Sequence, residues 1–69
     1  MSRKTISIAN LKRLPVGSDV LYVQESTGHF ARMWIAKNHN GRRVLKGVLT
    51  ERFLSEVTAS PGYHFEVER

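Results

Sequence analysis

YVQESTGHFARMWIAKNHNGRRVLK, residues 22–46, decides how this chain folds. Two groups within it, Ser26-Thr27-Gly28 and His39-Asn40-Gly41, each close on glycine. They flank the strand-like run Phe30-Ala31-Arg32-Met33-Trp34-Ile35-Ala36. Read as three-residue loops with the glycine left-handed, they set the direction of every neighbouring side chain, because side chains alternate along a strand. One face then collects Leu21, Val23, Ala31, Met33, Ile35 and Leu45, a core. The other collects Tyr22, Gln24, Phe30, Arg32, Trp34, Arg42 and Lys46, a basic and aromatic surface. A two-residue Asn40-Gly41 turn would set Lys46 beside Met33 and Ile35, so the longer loop is preferred for keeping charge off the core face.

Working outward, residues 20–25, 30–38 and 42–48 read as an antiparallel meander. Beyond it, Thr50 suits an N-cap and Glu51 a first helical turn, and Phe53, Leu54 and Val57 supply an apolar stripe. The expectation is a helix over 51–59, ended by Ser60-Pro61-Gly62. Tyr63, Phe65 and Val67 then alternate with His64, Glu66 and Glu68, the period of a half-buried strand. Upstream, Ser7 can cap a short helix over 8–14 with Ile8, Leu11 and Leu14 on one stripe and Pro15 as its stop. Ile6 and Ile8 could instead alternate in a strand. Residues 1–5 are expected to be a flexible arm. The expected fold is α+β: one small domain over 1–69, a three-stranded antiparallel meander packed by a short helix with a further C-terminal strand. An SH3-like β-barrel is the alternative.

Sixty-nine residues suffice for one domain near the lower limit of independent folding. There is no cysteine, hence no disulfide framework or thiolate zinc site, and stability must come from a core or a homodimer. The 41% hydrophobic content permits a core. No apolar run approaches the ~20 residues of a membrane span and no signal-peptide pattern opens the sequence, so a cytoplasmic protein without a membrane partner is expected. Net charge is +5 and unevenly placed. Residues 1–50 carry nine Lys/Arg against Asp19 and Glu25, a net +7; residues 51–69 carry Arg52 and Arg69 against four glutamates, a net −2. A basic body points to a polyanion or an acidic protein surface.

Catalytic chemistry has no support in the sequence. His29, His39 and His64 lie too far apart for a metal signature, and Asn38-His39-Asn40 reads as a turn. No glycine-rich phosphate loop, Ser/His/Asp arrangement or convergent pair of carboxylates is present. The expectation is a non-enzyme with neither cofactor nor metal.

The basic and aromatic face carries the functional reading. Arg32 and Trp34 sit two apart on the middle strand, with Tyr22, Gln24, Phe30, Arg42 and Lys46 around them. Guanidinium forks match phosphate or guanine edges, aromatic rings stack on bases or sugars, and a twisted sheet can enter a major groove. Arg3-Lys4, Lys12-Arg13 and Arg42-Arg43 could add phosphate contacts, with Arg43 at the core-side rim near Lys37. In element order and residue type, residues 20–59 resemble the three-stranded DNA-binding modules of plant transcription factors and integrase arm-type domains. The resemblance rests on the Arg/Trp-bearing middle strand and on Arg42-Arg43-Val44-Leu45-Lys46-Gly47. Pro15-Val16-Gly17-Ser18-Asp19-Val20 resembles the entry to the first strand of SH3-like barrels. Both likenesses imply a binding module. The expected function is nucleic-acid binding, with duplex DNA favoured. The alternative is a small phage- or mobile-element-type modulator that inhibits or redirects an acidic host protein, with Trp34, Tyr22 and Phe30 as anchors.

Overall fold

Gly28 and Gly41 both take positive φ (76° and 77°), and the chain reverses at each. The loops they close differ in length. At the second, Asn38 N–H donates to the Arg42 carbonyl, leaving His39-Asn40-Gly41 as a three-residue loop. Asn38 Oδ1 accepts from the N–H groups of Asn40 (2.9 Å) and Arg42 (3.0 Å), so the side chain holds the loop at that length. At the first, Gln24 N–H donates to the His29 carbonyl (2.8 Å), and four residues, Glu25 to Gly28, lie between them. Thr27 Oγ1 donates to Gln24 Oε1 (3.1 Å) and accepts from His29 N–H (3.2 Å), filling the extra position.

The computed structural model describes residues 2–68; Met1, the start of the expected arm, and Arg69 lie outside the described residues. Its strands are β1 (Arg3–Ile6), β2 (Asp19–Gln24), β3 (Phe30–Lys37), β4 (Arg43–Lys46), β5 (Glu51–Phe53) and β6 (Tyr63–Glu68). They form one antiparallel sheet in the order β1-β6-β2-β3-β4-β5, with β1 and β5 at its edges. The meander β2-β3-β4 lies where the sequence predicted it, inside a sheet of six strands. The alternating segment at the C-terminus is an interior strand between β1 and β2. Among the described residues no helix is long and apolar enough to cross a membrane.

The α+β class is corrected: the domain is mostly β. The expected helix over 51–59 is replaced by β5, one 3-10 turn (Leu54–Glu56) and an extended stretch beginning at Val57. Residues 51–53 satisfy their backbone groups on the free edge of β4, pairing Phe53 with Val44, Arg52 with Leu45 and Glu51 with Lys46. The 3-10 turn lacks a side-chain cap. Leu54 and Val57 are both buried (4% and 2% exposed), so a single turn already points their three-residue spacing inward. The N-terminal helix forms but stops early. α1 (Ile8–Leu11) starts at Ser7, whose hydroxyl accepts from Asn10 N–H at 3.2 Å, and does not reach Leu14. Arg3, Lys4 and Thr5, expected to fray, pair with Glu68, Val67 and Glu66.

The longer first loop also corrects the faces of β2. Leu21 stands opposite Arg32 and Val23 opposite Phe30; Val20 stands opposite Met33 and Tyr22 opposite Ala31. One residue of slip has exchanged Leu21 and Val23 with Val20 and Tyr22, as the two-residue period of a strand requires. The core cluster comprises Leu11, Val20, Ile35, Leu45, Leu54, Val57, Phe65 and Val67, with Ile6, Ile8, Leu14, Tyr22 and Met33 packed against it. Tyr22 stacks on Tyr63 (5.0 Å between centroids) and tilts against Phe65 (4.7 Å), and its hydroxyl accepts from Ser60 N–H at 3.0 Å. That aromatic stack, unavailable to Leu21, favours the observed register. Leu21, Val23 and Val44 are nonetheless buried on the opposite, outer face. In register Leu21 lies between Arg32 and Glu66, Val23 between Phe30 and His64, and Val44 between Ala36 and Phe53. Arg32, Glu66, Phe30, His64 and Phe53 thus flank a second apolar layer with the apolar parts of their side chains.

Candidate nucleic-acid interface

The outer face is built by alternation along all six strands. Thr5, Glu66, Leu21 and Arg32 form one row, and Asp19, Trp34, Lys46 and Glu51 the next. Phe30, Arg32, Trp34 and Lys46 share this face, and Arg42 joins it by laying its guanidinium 4.2 Å from the Phe53 ring centroid. Tyr22 lies on the core face, and Gln24 there holds the first loop through Thr27. Of the seven residues the sequence grouped, five stay together and two leave with the slipped strand.

Carboxylates that the sequence reading had set apart meet several of these cations. Arg3 Nε lies 3.1 Å from Glu66 Oε1, Arg32 Nη1 3.2 Å from Glu68 Oε1, and Lys46 Nζ 3.8 Å from Glu51 Oε1. The Glu66 side chain is only 15% exposed, so its pair with Arg3 is better shielded from solvent than that of Arg32, itself 63% exposed. Arg3 also sits 4.8 Å above the Phe30 ring centroid. His64 stands between two carboxylates, with Nδ1 2.8 Å from Glu25 Oε2 and Nε2 2.6 Å from Glu66 Oε2. A neutral imidazole has one N–H and can donate to only one of them. Protonation lets both nitrogens donate, and the bonds to Glu66 and then Glu25 hold the His64 pKa above the ordinary histidine value.

The β3–β4 turn, at the end of the sheet, is different: Arg42 lies on the outer face, while Lys37 and Arg43 alternate onto the core-side rim. Around the β3–β4 turn, Lys12, Arg42 and Arg43 line a shallow cleft of about 460 Å³ with Gly41, Leu54 and Ser55. Lys37 stands directly opposite Arg43, a like-charge cross-strand pair that disfavours itself unless an anion joins it. Arg43 Nη2 donates to the Leu14 carbonyl, tying the end of the α1 segment and the neighbouring Arg13 to β4. Lys12 Nζ donates to the Ser55 carbonyl at 3.0 Å. Among the described residues, none of Lys12, Arg13, Lys37, Arg42 and Arg43 has a carboxylate within ion-pair distance. The sequence had offered the pairs 12–13 and 42–43 as phosphate contacts and had set Arg43 near Lys37. It missed Phe53, which it had assigned to a helix stripe. No local signal would have found it: Glu51-Arg52-Phe53-Leu54 runs two polar residues and then two apolar, without the two-residue period of a strand.

In comparisons with protein-family models, curated proteins and solved structures, nothing matches this chain.

Proposed function

We propose that the protein is a non-catalytic nucleic-acid-binding module, with duplex DNA as the favoured ligand, acting in the cytoplasm through the cations around its β3–β4 turn. One observation carries the reading: five cations, among them the Arg42 guanidinium stacked on Phe53, sit on or beside the β3–β4 turn without a carboxylate within ion-pair distance among the described residues. Lys12, Arg13, Lys37 and Arg42 supply phosphate contacts, whose energy comes from releasing counterions condensed on the duplex. Arg43 orients α1 and adds its charge. Trp34 continues the surface along the sheet, where an indole face can meet a sugar. The β3–β4 hairpin presents these groups at the end of the sheet, and a two-stranded ribbon is of the kind that enters a major groove.

Titration of labelled duplex, single-stranded DNA and RNA at 50 and 200 mM salt tests this. With about four phosphates neutralised, duplex affinity should fall by about 100-fold between the two conditions. Affinity independent of salt would overturn the reading. The same cations and the half-exposed Phe30 (48%) also suit an acidic protein surface, the alternative of a small modulator. Salt-insensitive duplex binding together with stoichiometric capture of one acidic protein after nuclease treatment would favour that alternative.

A further inference from the structure

Val48 and Leu49 are 87% and 93% exposed, the two most exposed large apolar residues of the described chain. They form the tip of the β4–β5 hairpin, closed by Gly47 N–H donating to the Thr50 carbonyl at 2.8 Å. A two-residue hairpin tip ordinarily carries glycine, asparagine or aspartate, and two bulky apolar groups there gain nothing from folding. The tip is also one lip of a cleft of about 560 Å³ on the core side of the sheet. Met33, Leu45, Val57 and Phe65 line its interior, and Thr58 and Ser60 lie along it. Arg32 and Arg52 both line it; Arg32 is paired with Glu68, whereas Arg52 is the cation beside the lip. Among the described residues it has no carboxylate within ion-pair distance, and no carboxylate lines the cleft.

We propose that this cleft binds a small amphipathic anion, a medium-chain aliphatic carboxylate. The chain lies on Met33, Leu45 and Phe65 under the Val48-Leu49 lip, and the carboxylate meets the Arg52 guanidinium. The volume falls within the ~300–1,000 Å³ of small-molecule sites, which are apolar with a few polar groups that orient the ligand. A second copy of the chain is a poor occupant. Two apolar side chains and one cleft fall far short of the ~800 Å² per partner of a standard interface, and a net charge of +5 opposes self-association. The site is separate from the cation cluster, so its fate does not depend on nucleic-acid binding.

The test follows methyl and amide shifts of the full chain during titration with hexanoate, octanoate and decanoate below their micelle concentrations, with sedimentation at each step. Affinity should rise about fourfold per added methylene until the cleft is filled. Decanoate should bind about tenfold more tightly than decanol, because the anion adds a charge-assisted hydrogen bond. Arg52→Gln should erase that preference while leaving decanol binding unchanged, and Ala31→Phe, which adds a ring at the cleft wall, should block both ligands. Equal binding of decanoate and decyltrimethylammonium would overturn the proposal. So would shifts confined to Lys37 and Arg42, absence of binding, or cleft shifts that track protein concentration and dimer mass.

Discussion

The outer face of the sheet and the β3–β4 turn hold similar cations in opposite circumstances. Toward β6, Arg3 and Arg32 stand against Glu66 and Glu68, and Lys46 faces Glu51 across the β4–β5 pair. Toward the β3–β4 turn, Lys12, Lys37 and Arg42 have no such partner among the described residues. The mildly acidic C-terminal third folds back on the basic body and neutralises what it reaches. Strand order therefore decides which arginines remain available to a polyanion, and neither net charge nor position in the chain reports it.

The largest expected effect breaks the comparison if it fails. Lys37→Glu with Arg42→Glu, both at exposed positions, should lower duplex affinity by at least about 100-fold and flatten the salt dependence by about two phosphates. Arg32→Ala should change affinity less than about threefold, since Glu68 already offsets its charge. Equal losses at the two places, measured by fluorescence anisotropy, would remove the distinction. Next in size is Arg43→Ala. Losing the charged hydrogen bond to the Leu14 carbonyl should cost about 1.5–2 kcal/mol in urea unfolding, partly offset by relief of Lys37. Tyr22→Phe should cost about 1 kcal/mol for its bond to Ser60 N–H and leave duplex affinity unchanged, because that ring belongs to the core face.

The smallest effect is a pH dependence confined to the neutralised face. The folded pKa of His64 is raised above 6.5. The stabilisation from Glu66 and Glu25 is therefore complete below 6.5 and is lost as pH rises through the folded value. The urea midpoint should decline across that window in the unaltered chain and lose this component in His64→Gln. Duplex binding through Lys37 and Arg42 should not follow the same titration.

The two hairpins explain how far the fold could be read in advance. Asn38 holds the second loop at three residues through its own side chain, so the pairing of Trp34 with Lys46 and Ile35 with Leu45 follows from local chemistry. The first loop also ends in glycine, but Thr27 and Gln24 accommodate a fourth residue. Hydrophobic pattern could not arbitrate, because Val20, Leu21 and Val23 are all buried and β2 is apolar on both faces. The β4–β5 hairpin turns on Val48-Leu49, which carries no turn signal, so residues 51–53 offered no local reason to read a strand. Tyr63 to Glu68 alternate plainly, yet their place between β1 and β2 depends on partners far away in sequence. The site divides in the same way. The cations of 42–43 and 12–13 were visible as residues, whereas the ion pair of Arg32 with Glu68 required knowing which strand lies beyond β2.

The last strand formed along the chain joins β1 to the rest of the sheet. Until residues 63–68 are available, the segment around Arg3–Ile6 has no neighbour, and β2 presents a raw edge. During synthesis the meander β2-β3-β4 can assemble first, but completion waits for this late arrival, and the unpaired border is open meanwhile to another polypeptide. Losing those six residues would therefore strand β1 and leave β2 as an open border.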